Sequence, residues 1–125
     1  MNTRALRRTA GILRGHVPGQ LIIQMTDRCN AKCPQCGMRV TQRFERSTLA
    51  MDDMKRAIDA AAARGFAAVS FTGGEPLLML DELAELLRHA GAAGIPFTRT
   101  GTNGHHFRNP GAPDFEPRVR RVIDT

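Results

Sequence analysis

Three short apolar runs alternating with helix-periodic segments constrain the fold of this chain more than any other feature. Leu21 to Thr26 (LIIQMT) reads as a buried strand, and Ala67 to Phe71 and Ile95 to Thr100 as the second and third strands. After the first, Met51, Met54, Ile58 and Ala61 or Ala62 fall at helical spacing, with Asp52 and Asp53 in the first turn, where the helix dipole favours anions. Gly65 ends that helix. A second is capped by Asp81 and striped by Leu83, Leu86, Leu87 and Ala90 before Gly91 and Gly94. A last helix begins near Glu116, with Pro117 in its first turn and Val119, Val122 and Ile123 as its stripe. Strand–helix alternation of this kind predicts an α/β fold with a parallel sheet, in which binding groups collect at the carboxyl ends of the strands.

Each strand tip carries a distinctive cluster. The first opens into TDRCNAKCPQCGM, with Cys29, Cys33 and Cys36. Their spacing would share one helix face, but Pro34 argues against a helix, since an interior proline costs about 3 kcal/mol and drives Cys33 toward extended geometry. The segment therefore reads as a loop able to wrap three thiolates around one centre, a donor set suited to zinc, copper(I) or iron–sulphur rather than magnesium or calcium. Three cysteines are one short of the usual set for a 4Fe–4S cluster, so such a cluster would keep one iron open to another ligand. An odd number of cysteines within eight residues makes no disulfide framework, and the first nineteen residues lack the apolar stretch of a secretory signal, which predicts a reducing, cytoplasmic setting. The second tip carries Thr72, Gly73, Gly74, Glu75 and Pro76, and the third GTNG, with Thr102 and Asn103. Alone, GGEP is an ordinary strand-to-helix turn and Asn-Gly most often simply a turn.

Together, the C-x3-C-x2-C run directly after an apolar strand and GGEP at the end of the next resemble the radical S-adenosylmethionine (SAM) superfamily, over roughly Gln20 to Asn103. The resemblance implies that Cys29, Cys33 and Cys36 hold a 4Fe–4S cluster whose fourth iron is chelated by the amino and carboxylate groups of SAM. Gly73 and Gly74 would let backbone approach the cofactor, and Glu75 would face the SAM ammonium; Thr102 and Asn103, by their place at the third strand tip, would be within reach of cofactor or substrate. Arg28, Lys32 and Arg39 would supply positive charge beside the thiolates. Where the family often carries an aromatic residue before the last cysteine this chain has Gln35, so adenine contact must come from elsewhere. The implied chemistry is reductive cleavage of SAM to methionine and a 5'-deoxyadenosyl radical that abstracts hydrogen from a substrate, small molecule or peptide. A flavodoxin- or ferredoxin-type protein would donate the electron.

The implied architecture is a partial parallel (βα) barrel, about three βα units of an open TIM-like barrel, forming the N-terminal half of the core over residues 20–125. Residues 1–19, rich in arginine and without an acid, read as a basic helical extension packed beside it. Three strands cannot close a barrel, so the third strand is left with an open edge for a partner chain, and catalysis by this chain alone is in question. A net charge of +6 would favour anionic partners, yet the charge is scattered and the chain has no Trp or Tyr, which argues against a base-stacking nucleic-acid platform. Nothing approaches an eighteen-residue apolar span. Two alternatives stand beside the radical reading. One is a zinc module with three cysteines and His105 or His106, although those histidines lie far from zinc-finger spacing; the other is a degenerate cluster-binding fragment that no longer cleaves SAM. His16, His89 and the His105 and His106 pair read as exposed or loop histidines rather than ligands or catalysts.

Overall fold

A computed structural model describes residues 3–15, 19–37 and 45–124. His16 and Arg39, both considered above, lie outside the described residues. In chain order the elements are α1 (Thr3–Leu13), β1 (Gln20–Gln24), α2 (Met51–Ala63), β2 (Ala68–Thr72), a 3-10 turn (Pro76–Met79), α3 (Leu80–Ala92), β3 (Phe97–Thr100), a second 3-10 turn (His105–Phe107) and α4 (Phe115–Ile123).

The three strands form a parallel sheet in the order β1-β2-β3. Strand order that follows chain order is that of successive βα units wound in one direction, as in a stretch of a (βα) barrel or in one half of a doubly wound sheet. The crossover helices α2 and α3 pack on each other. The register places Leu21 beside Val69 and Ile23 beside Phe71, so alternate side chains from both strands enter one core. There they meet Met54 and Ile58 of α2 and Leu83, Leu86 and Ala90 of α3. Phe71, Val69, Ile58 and Leu86 are fully buried, and each such side chain contributes about 1.5–3 kcal/mol of transfer free energy. Ion pairs between the helices, Lys55 with Glu85 and His89 with Asp59, lie at the surface and add little.

The sheet is a segment of an open (βα) barrel. All four β3 residues are exposed, Phe97 at 69%, leaving that strand's outer edge unpaired among the described residues. The helix α1 leaves Leu6, Ile12 and Leu13 exposed.

Several boundaries differ from the sequence reading, each for a local reason. The third strand begins at Phe97 rather than Ile95, because the Ile95 amide closes the end of α3 on the Ala90 carbonyl and Pro96 has no N–H to give a ladder. Asp81 lies within the first turn of α3 rather than capping it, and pairs with Arg121 of α4. The helix also runs through Gly91 to Ala92. The first strand ends at Gln24, beyond which Thr26 pairs antiparallel with Thr48.

Candidate functional site

The base of the cysteine loop, Thr26 to Arg28, is held on both sides. On the sheet side, Met25 N–H donates to the Thr72 carbonyl (2.9 Å), Gly74 N–H to the Thr26 carbonyl (2.7 Å) and Glu75 N–H to the Arg28 carbonyl (2.9 Å). On the other side the returning segment closes it, with Asp27 N–H donating to the Ser47 carbonyl and Leu49 N–H to the Met25 carbonyl, each at 2.9 Å. Side chains reinforce this neck. Thr26 is buried, its hydroxyl bonded to that of Thr48 at 2.8 Å and accepting from Arg28 N–H at 3.1 Å. Asp27 accepts from the Gln24 amide (2.6 Å) and from both the backbone N–H and hydroxyl of Ser47. The Gln24 bond, followed by those from Ser47, holds the Asp27 carboxyl below its ordinary pKa of 3.8, with nearby Arg46 adding a smaller effect. None of these residues carries a local motif, because the pairing spans some twenty positions and only the folded neck brings its two ends together.

The glycines make the close approach possible. A Cβ on Gly74 would lie 2.1 Å from the Arg28 carbonyl oxygen, and one on Gly73 would lie 2.5 Å from the Thr26 carbonyl oxygen. Gly73 also sits at φ 151°, where side chains are strained. The space vacated by both side chains is thus filled by the backbone of the cysteine-loop root.

Glu75 turns inward. Its side chain is 1% exposed, and its two oxygens accept from backbone amides, Oε1 from Leu77 at 3.0 Å and Oε2 from Asn103 at 2.7 Å. The first bond caps the 3-10 turn that opens at Pro76. The second ties the tip of β3 to the tip of β2. Asn103 in turn reaches the cysteine loop, its Nδ2 lying 2.8 Å from Asn30 Oδ1 and 3.5 Å from Cys29 Sγ. The structure therefore brings Cys29, Gly73, Gly74, Glu75 and Asn103 into one connected constellation at the carboxyl ends of the strands.

Cys29 and Cys33 are exposed and Cys36 half-buried, all as free thiols, with Cys36 N–H turning back on the Cys33 carbonyl at 3.2 Å. Among the described residues no group of three or more His, Cys, Asp or Glu is gathered to hold a single metal ion. A 4Fe–4S cluster makes a different demand, one thiolate for each of several irons, and three free cysteines on an accessible loop match it in number and donor type. His105 and His106 belong to the turn after β3. The backbone of His105 donates to Asn103 Oδ1, and the buried Nε2 of His106 has no hydrogen-bond partner among the described residues. Neither histidine completes a metal group with the cysteines.

A groove of about 450 Å³ runs beside the outer edge of β1 and α2, lined by residues that include Ile22, Met25, Leu49 and Met54. None of the cysteines or the GGE and Asn103 residues lines it, so the groove and the constellation are separate features.

Comparison with known proteins yields one family and a consistent group of relatives. The family model described as the Radical SAM superfamily matches residues 23–122. A PqqA peptide cyclase of Rhodopseudomonas palustris is 34% identical over 79 residues, covering 63% of this chain and 21% of the relative. A GTP 3',8-cyclase of Mannheimia succiniciproducens is 38% identical over 90 residues, covering 70% and 26% respectively. A GTP 3',8-cyclase of Rhizobium etli is 29% identical over 112 residues, covering 86% of this chain and 32% of the relative. The chain thus spans between about a fifth and a third of the length of these relatives.

Proposed function

The chain belongs to the radical SAM superfamily, and from that premise we propose that it carries the cluster-binding and cofactor-binding half of an enzyme that initiates radical chemistry on a small molecule or peptide. The family is one of enzymes that use a 4Fe–4S cluster and S-adenosylmethionine. When bound, these groups supply reductive cleavage of SAM to methionine and a 5'-deoxyadenosyl radical that abstracts hydrogen from the substrate. The observation that supports this reading is the connected constellation of the cysteine loop with the GGE and TNG turns.

In this reading Cys29, Cys33 and Cys36 hold three irons, and the fourth is left for SAM. The neck made by Thr26, Asp27, Ser47 and Thr48 fixes where the loop leaves the sheet, so that the thiols are presented from a defined root. Gly73, Gly74, Glu75 and Asn103 form the cofactor face. Because both Glu75 oxygens already accept backbone amides, its carboxylate serves the SAM ammonium through its charge and through the turn it shapes, rather than as a freely exposed ligand.

The relatives act, by their names, on a peptide in one case and on GTP in the other, and this chain's substrate is accordingly drawn from peptides or small molecules. An electron donor of flavodoxin or ferredoxin type, and a further chain or segment along the open edge of β3, complete the proposal. No helix among the described residues is long and apolar enough to cross a membrane, and the three free thiols suit a cytoplasmic setting. The zinc alternative is not favoured, since the family is shown and no histidine joins the cysteines in the described residues.

The test is product analysis on the chain reconstituted anaerobically with iron and sulfide, then reduced in the presence of SAM. The proposal expects 5'-deoxyadenosine and methionine in equal amounts, abolished by Cys33→Ala. A reconstituted cluster that leaves SAM intact would support the degenerate-fragment alternative instead.

A further inference from the structure

We propose that Asn103 is a positioning residue that hydrogen-bonds the Cys29 sulphur and thereby raises the reduction potential of the cluster held by the cysteine loop. This rests on the reading that the loop holds a 4Fe–4S cluster. The orientation of the Asn103 amide follows from its neighbours. Its Oδ1 lies 2.9 Å from the backbone nitrogen of His105, which can only donate, so Oδ1 must be the acceptor and the NH2 group must point the other way. The two hydrogens of that NH2 then meet two acceptors, Asn30 Oδ1 at 2.8 Å and Cys29 Sγ at 3.5 Å, the latter within the reach of a hydrogen bond to sulphur. The backbone of the same residue is fixed by the 2.7 Å bond from its N–H to the buried Glu75 carboxylate. Asn103 is therefore held at both ends, with its donor aimed at a cluster ligand.

Cys29 Sγ also accepts from Ala31 N–H at 3.4 Å, so the Asn103 bond adds a side-chain donor to a backbone one. A donor to a ligand sulphur withdraws electron density from the cluster and favours the reduced state, which carries the extra negative charge. Asparagine supplies this without a charge of its own. The residue lies seventy-four positions beyond Cys29, at the tip of a different strand, so cluster tuning depends on the GGE carboxylate that holds that tip in place.

The experiment is an EPR-monitored redox titration of the anaerobically reconstituted chain, comparing wild type with Asn103→Ala, alongside iron content and thermal unfolding. The expected result is a midpoint displaced to more negative potential by up to a tenfold change in the reduction equilibrium, about 59 mV for one electron, with iron content retained. A loaded Asn103→Ala chain that titrates at the wild-type midpoint overturns the proposal. If Asn103→Ala assembles no cluster, the near-isosteric Asn103→Leu decides: it fills the same space, changes no charge and has no side-chain N–H to donate, so a midpoint displaced in the same direction supports the proposal while a wild-type midpoint overturns it. Failure of the wild-type chain to assemble any cluster overturns the functional reading itself, and is distinguished from the other outcomes because nothing then titrates.

Discussion

Replacing Glu75 by glutamine probes the tie between the strand tips with almost no change of shape. The carboxylate offers two acceptors to two backbone N–H groups, whereas the amide offers one acceptor and one NH2. If the glutamine oxygen keeps the Leu77 bond, its NH2 faces the Asn103 N–H, donor against donor. A hydrogen bond to a carboxylate contributes about 1.5–3 kcal/mol, and a buried donor left without an acceptor costs about 1–3 kcal/mol. Removing the cost of burying a charge offsets part of that loss. The balance is a destabilisation of about 2–4 kcal/mol, a large share of the roughly 5–15 kcal/mol typical of a domain. At a urea dependence of about 2 kcal/mol per molar, the midpoint should fall by about 1–2 M. Glu75→Ala, which leaves both N–H groups unanswered, should fall at least as far. Equilibrium urea unfolding followed by far-UV circular dichroism gives both values. A Glu75→Gln midpoint within about 0.3 M of wild type would mean that the relief of charge burial equals everything the second acceptor provides, and that the tie between the strand tips adds no stability.

Gly74→Ala should push Arg28 away from the sheet, since the new Cβ would meet the Arg28 carbonyl at 2.1 Å; overpacking of this kind costs about 1–3 kcal/mol, and iron incorporation should fall with it, as measured by iron content after reconstitution. Asp27→Asn should destabilise the neck at neutral pH. The folded-state pKa of Asp27 is depressed below 3.8, so its contribution is present above that value and is lost as pH falls through the lower folded-state value; wild type and Asp27→Asn should differ in urea midpoint at pH 6 and converge toward pH 3, and a difference independent of pH would contradict the assignment. Cys33→Ala should leave far-UV circular dichroism unchanged, since the side chain is exposed and packs nothing, while iron and sulfide incorporation collapses.

The alternating runs made the parallel sheet and the core helices legible, because hydrophobic period and turn chemistry are local signals: Met54, Ile58, Leu83 and Leu86 enter the core from the stripes their spacing marks. Strand ends were less so. Pro96 shortened β3 through a missing donor, and Asp81 was drawn into the first turn of α3 by a 3-10 turn that begins at Pro76. In the site, the cysteines, the two glycines and Glu75 stood out as a pattern, but the direction in which Glu75 faces did not. Its partner at Asn103 lies twenty-eight residues on, and no periodicity encodes a bond between two strand tips. The Asp27–Ser47 and Thr26–Thr48 pairs were invisible for the same reason, being common polar residues whose meaning arises only when the chain returns past β1.

In the proposed function three cysteines on this loop hold a cluster with one iron left for SAM. EPR of the reduced, anaerobically reconstituted chain, recorded with and without SAM, decides whether they do. The expected spectrum is a 4Fe–4S signal that changes when SAM is added and vanishes in Cys33→Ala. Zinc bound with no cluster signal, or a cluster signal that SAM leaves unaltered, would contradict it.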